Sequence, residues 1–145
     1  MRYRHPAILA LVTALAVSCL DPADPGLAAG RWRVSEFWSG DSVTCSIVSE
    51  TLTVTEASSQ LSGEMTGGGG LCINYGLPFP SKPFGPISQG RVDRDQVNFD
   101  VASQFSYHGQ ISFDHMSGKL AGVVTLGPPA SRIVQVTGTW FARRS

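Results

Sequence analysis

Charge is scarce in this chain and evenly split. Only 15% of its 145 residues are Asp, Glu, Lys or Arg, against about 25% in a typical soluble domain. Eleven basic residues meet eleven acidic ones, with no basic run. The electrostatic footprint of a nucleic-acid binder is therefore missing, and no nucleic-acid partner is expected. Long apolar runs are missing too. The apolar run at residues 7–17 is uncharged but has only 11 residues, and a helix needs about 20 to cross the hydrocarbon core of a bilayer. No window after residue 30 carries useful helical periodicity. No Gly-x-Ser-x-Gly elbow is present, and Gly67-Gly68-Gly69-Gly70 runs into Leu71 and Cys72 rather than the Gly-Lys-Ser/Thr of a phosphate loop. The two cysteines and two histidines of the later chain (Cys45, Cys72, His108, His115) lack the paired spacing of a structural zinc site. The sequence thus points to no catalytic residue, no metal and no cofactor, and the chain is read as a non-enzyme. What is abundant is apolar: 42% hydrophobic residues exclude a disordered polar chain, and the length suits one domain.

The N-terminus reads as an export signal. Arg2 and Arg4 form a short positive region, and the apolar run of residues 7–17 follows. Leu15-Ala16-Val17-Ser18-Cys19 comes next. This segment resembles the lipobox of bacterial lipoproteins, with Ala16 where leucine is commoner. The resemblance implies that residues 1–18 are removed and that Cys19 is lipidated and becomes the mature N-terminus. The alternative is ordinary signal-peptidase cleavage, after Ser18 or at Leu27-Ala28-Ala29. Two prolines, a glycine and two aspartates make residues 19–29 a tether. Residues 30–145 are then the folded domain. The expected location is the bacterial cell envelope, with the membrane as a partner through the lipid alone. The mature chain would carry a net charge of −2, too little to hold an acidic lipid surface by charge.

The cysteine count agrees with this. Three cysteines in an exported chain leave one unexplained. With Cys19 lipidated, Cys45 and Cys72 remain as a pair, and an oxidising compartment favours their disulfide. Closing that loop is worth about 3.5 kcal/mol in the chain-entropy model. Two small buried thiols are the alternative.

From residue 30 onward the pattern is one of strands. Alternation and turn residues place them at 31–38, 50–56, 61–66, 85–92, 96–104, 105–113, 116–126 and 133–141. In the first, Trp32 and Val34 share a face until the pattern breaks. In the second, Leu52 and Val54 oppose three threonines, and Glu50, Glu56 and Glu64 read as outward surface charges. Phe99, Tyr107, Phe113 and Trp140 are assigned to the interior, Trp32 and Trp38 to core or barrel-end packing, and His108 and His115 to solvent. Eight strands joined mainly by short turns predict an all-β, antiparallel up-and-down barrel, with a two-sheet β-sandwich as the alternative. Glycines inside the strands (63, 109, 118, 122 and 138) favour the barrel, because they allow bending and close approach.

Gly30-Arg31-Trp32 at the first strand resembles the Gly-x-Trp that opens lipocalins and related calycin barrels. Gly138-Thr139-Trp140-Phe141-Ala142-Arg143 is similar to the last strand of small secreted barrels, including avidins. The resemblance implies a lipocalin-like barrel. It carries over no binding residue, since the Thr-Asp-x-Tyr segment and C-terminal helix of lipocalins are absent.

One connection, residues 67–85, stands apart. It combines four glycines, the Cys72 anchor, and Pro80, Pro83 and Pro86 at polyproline II spacing. Connections beyond about 15 residues are usually functional or disordered. The expectation is a lid with a mobile tetraglycine, in which Phe79 and Phe84 cover the barrel mouth and contact a ligand. Two function classes follow. One is a binding module for a small apolar ligand, since eight-stranded barrels are just wide enough for one. The other is an envelope interaction or structural protein, or a periplasmic protease-inhibitor-like module, working through its outer surface or the 67–85 loop.

Overall fold

The computed structural model describes residues 27–41, 43–73, 80–127 and 132–145. Those residues are all-β and form ten strands. They are β1 (Gly30–Gly40), β2 (Val43–Ala57), β3 (Gln60–Thr66), β4 (Gly69–Ile73), β5 (Pro80–Ser81), β6 (Gly85–Asp93), β7 (Gln96–Val101), β8 (Phe105–Ile111), β9 (His115–Leu126) and β10 (Arg132–Arg144). Eight close into one antiparallel ring, β1-β2-β3-β6-β7-β8-β9-β10, because β1 pairs with both β2 and β10. The meander of the sequence is therefore a closed barrel, and the sandwich alternative falls. Closure leaves the ring without an edge.

Tight turns set the register. Ser58 and Ser59 both have positive φ, the backbone of a two-residue hairpin turn whose twist matches the strands; Ala102 and Ser103 have positive φ too, in a three-residue loop that Gln104 completes. The second turn divides β7 from β8 where the sequence showed no punctuation. β8 then ends at Ile111, where the chain turns between Ser112 and His115, so Phe113 is not interior as expected. It lies at a turn and is 83% exposed.

Alternation fills the interior. Trp32, Val34, Leu52, Met65, Phe99, Val101, Phe105, Tyr107, Leu120 and Trp140 are buried. Large rings face glycines directly across the ladder: Trp38 pairs with Gly138, Trp140 with Gly118 and Phe105 with Gly122. A Cβ on Gly122 would stand 2.7 Å from the Phe105 ring, so the glycines make room for the aromatics that occupy the barrel. The three tryptophans are buried, as expected.

The two ends differ. We call the base the end that holds Gly30, the Ser58–Ser59 turn and Arg144. The opposite end is the mouth. The wall is taller where β9, β10, β1 and β2 run side by side (12, 13, 11 and 15 residues) than at β7 and β8 (6 and 7). Beyond the ring, β4 pairs with the mouth half of β2, and β5 pairs with Leu126 and Thr125 of β9. The 67–85 connection is thus not one uninterrupted loop: it leaves the wall beside β2 and rejoins it beside β9, with β1 and β10 between. Gly69 and Gly70, expected in a mobile hinge, are paired with Val48 and Ile47, and no glycine from 67 to 70 has positive φ. Gly68 is needed for another reason. Its Cβ would lie 2.4 Å from the Val48 carbonyl oxygen, so only glycine permits this approach.

Candidate functional site

At the mouth, the interior turns from apolar to ionic. The strand β1 keeps its alternation past Val34, so the next inward side chains are Glu36 and Trp38, both buried. Glu36 is the residue at which the apolar pattern breaks. In β2 the phase changes: Val34 faces Glu50, but Glu36 faces Ile47, so the strand carries one extra residue here. Ser49 at φ 64 marks this bulge. Bulges re-aim side chains, and this one shifts the phase of the mouth half, where Val43 and Cys45 are buried; Glu50 itself is in phase with buried Leu52 and Val54 and has zero exposure. The expected outward Glu50 is thereby corrected. Glu56 and Glu64 are not buried.

Lys82 meets the two carboxylates. It stands between Ser81 of β5 and Pro83, and proline holds the preceding residue extended. Gly85, at φ +151, then turns the chain into β6. The Lys82 side chain is 4% exposed. Its Nζ donates to Glu36 Oε1 at 2.8 Å and Glu50 Oε1 at 2.6 Å, and lies 3.7 Å from Met65 Sδ. Three acceptors thus serve the three protons of an ammonium. Aromatic faces surround it, with Phe84, Phe105 and Tyr107 centroids at 5.2, 5.4 and 5.9 Å, within cation–π range. Tyr107 donates its hydroxyl to Glu36 Oε1 at 2.5 Å. Its ring is clamped by stacking on Phe99 at 4.8 Å and by the Trp140 edge at 5.6 Å.

The electrostatics follow from burial. Taking two carboxylates out of water is costly, and one cation compensates only one of them. Burial and the Glu36 charge push the Glu50 carboxyl up to about 8, against the opposing pull of Lys82. At neutral pH Glu50 is therefore largely protonated. The neutral state of the cluster is Lys82 ammonium, Glu36 carboxylate and Glu50 acid. Burial first, then Glu36, holds the Tyr107 phenol well above its ordinary range, so it stays a donor. Glu36 Oε2, Glu50 Oε2 and Trp38 Nε1 are buried without a protein partner, an unusual concentration of unmet polar atoms in one region.

The other expected site residues fall in different places. Cys45 and Cys72 form a disulfide that pins β4 to β2. Phe84 is 42% exposed and flanks the Lys82 ammonium rather than filling the barrel. Cys19 and Phe79 lie outside the described residues. His108 is exposed and bonded to Asn98. His115 contacts Ser112 and Asp114 at the base: Ser112 Oγ lies 2.9 Å from its Nδ1 and 3.1 Å from its Nε2, Asp114 Oδ1 lies 2.9 Å from Nδ1, and the group is solvent-exposed.

Comparison with protein-family models, curated proteins and solved structures finds no match for this chain.

Proposed function

We propose that this protein is an exported, lipid-anchored binding module of the bacterial cell envelope, and that its site is the barrel mouth under the strap formed by residues 80–85. The observation that carries the reading is the Lys82 ammonium seated on two buried carboxyl groups inside an aromatic wall. A segment held by one charged side chain, with unmet polar atoms beneath it, has the makings of a gate. The expectation of a purely apolar ligand gives way to one with a polar head, because the interior is occupied by side chains up to an ionic cluster. The reading is of a binder rather than a catalyst.

The tether supports this orientation. Residues 27–30 enter the barrel at the base: the Trp32 indole donates to the Ala28 carbonyl, and the Ala28 amide donates to Glu56. A lipid on Cys19 would place the base toward the bilayer and the mouth toward solvent. Two measurements test the proposal. Fatty-acid probe labelling of Cys19→Ser should fall to background, and equal labelling would remove the anchor. Native mass spectrometry of protein taken from its own membrane should show a bound small molecule. Its addition should change amide exchange at residues 82–86 and not at the base, and unchanged exchange at the strap would remove the gate.

A second reading has its own support. Leu71 and Ile73 of β4 are 69% and 58% exposed, and no strand pairs with the other edge of β4 among the described residues. Phe37, Val48 and Phe141 line a neighbouring recess of about 260 Å³ on the outer wall. An envelope protein adding a strand at β4 would use that surface.

A further inference from the structure

We infer that the mouth of this barrel is a recognition site for a primary ammonium group, and that Lys82 is an intramolecular occupant that such a ligand displaces. This rests on the gated-mouth reading and names its ligand class.

The site is built around –NH₃⁺ and suits other cations poorly. Three acceptors (Glu36 Oε1, Glu50 Oε1 and Met65 Sδ) converge on one nitrogen at 2.8, 2.6 and 3.7 Å. A quaternary ammonium has no proton to give them. A guanidinium spreads five donors over a planar fork, which three acceptors around one point do not match. The faces of Phe105, Phe84 and Tyr107 complete the shell. They would accept an apolar stem as readily as the lysine methylenes. Oε2 of Glu36 and Oε2 of Glu50 have no other protein partner, so a ligand with a hydroxyl has further polar atoms to reach.

The occupant sits on a removable segment. Lys82 belongs to a short piece between two-residue β5 and Gly85, and among the described residues β5 pairs with the wall at Leu126 and Thr125 alone. The ring of the barrel closes through β3–β6 pairing and does not need Lys82. Withdrawal of Lys82 alone would leave a buried carboxylate uncompensated. An incoming ammonium restores the compensation, so exchange of one amine for another conserves the charge of the site. The tethered lysine also sets a threshold, because a free amine must compete with a local concentration in the millimolar range or above.

The chain offers a direct readout, since Lys82 and Lys119 are its only lysines and Lys119 is exposed. In the purified full chain with isotope-labelled lysine, titration with n-hexylammonium chloride should move the Lys82 side-chain signal toward that of Lys119 in a saturable way. Hexanol and tetramethylammonium should not move it. In parallel, Lys82→Ala leaves a slot the size of n-propylammonium. That cation should bind the variant at least about ten-fold more tightly than it binds wild type, where Lys82 competes. It should also bind the variant at least about ten-fold more tightly than n-propanol does, as expected for a charge-assisted contact. Should Lys82→Ala not fold, the Lys82→Ala/Glu36→Gln chain, whose remaining Glu50 is the neutral acid, replaces it, and the wild-type titration needs no variant. A Lys82 signal that stays fixed at amine concentrations saturating the variant would make Lys82 a permanent structural staple and overturn the inference. So would equal binding of amine and alcohol. A native ligand that lacks an amine yet alters exchange at residues 82–86 would leave the gated mouth standing and sink the ammonium assignment alone.

Discussion

Each end of this barrel is closed by one cation, and the two closures work differently. At the base, the Arg144 guanidinium lies 4.2 Å from the Trp32 ring and donates to the carbonyls of Leu27, Ala29 and Phe113. Its acceptors are neutral and the contacts lie at the exposed rim, so their loss strands no charge. At the mouth, Lys82 sits on two carboxyl groups that are wholly removed from water. Its loss strands at least one of them. The base is thus a closure that can fray at modest cost, whereas the seated lysine at the mouth can leave only by exposing a buried charge. The gate proposed above requires a second, released state separated from the seated one by that cost.

The sharpest way to break the comparison is to remove both cations in turn. Lys82→Met keeps the apolar stem and deletes the charge. It should lower unfolding stability by about 3–5 kcal/mol, the range for breaking a buried ion pair from one side, measured by urea denaturation at pH 8. A loss below about 1 kcal/mol there would mean that solvent reaches the carboxylates once the strap is released. Removing the disulfide by Cys45→Ser/Cys72→Ser should cost about 2–4 kcal/mol and free β4, the outgoing leg of the strap.

The pH response isolates Glu50. Its folded-state carboxyl is raised to about 8 from an ordinary value of 4.5, so the folded protein holds a proton that the unfolded chain releases. Stability from this group is present below about 4.5. It is lost as pH rises through the window to about 8. Wild type should therefore lose more stability between pH 5 and pH 9 than Glu50→Gln, which cannot ionise. Parallel pH curves for the two would show that Glu50 is ionised throughout. The smallest effect belongs to the base: Arg144→Ala should cost about 1–2 kcal/mol, read by the same denaturation, with amide exchange rising at residues 27–32 and unchanged at the strap.

The base was far more legible in the sequence than the mouth. Gly30-Arg31-Trp32 and the closing strand around Trp140 marked the first and last walls of a barrel, and the structure closes it through β1 and β10. Glu36 left a trace, since it interrupts the Trp32–Val34 face. That interruption reads as the end of a buried pattern unless a partner for the charge is known. Lys82, lying among prolines, gave no sign of burial. Phe84 was attached to the right segment, but its half-exposed ring flanks a cation rather than roofing an apolar cavity.

Local rules were enough for the class of fold. Period-two alternation, hydroxyl- and aspartate-rich turns and the absence of helical spacing dictate antiparallel strands, because each of those signals acts over a few residues. Closure into a ring, the phase of β2 and the fate of its charges were settled at long range. Glu50 shares the face of Leu52 and Val54, so its inward direction was legible in the alternation and only its acidity argued against it. One extra residue at Ser49 reverses the phase of the mouth half of the strand, and no pattern inside residues 43–57 announces that, since a bulge is stabilised by what packs across it. Here that is Gly68, which comes within contact of the bulge backbone. A buried lysine is acceptable only once two acidic side chains from strands β1 and β2 converge on it. That convergence, between residues 46 and 32 positions apart from Lys82, exists only after the barrel has closed.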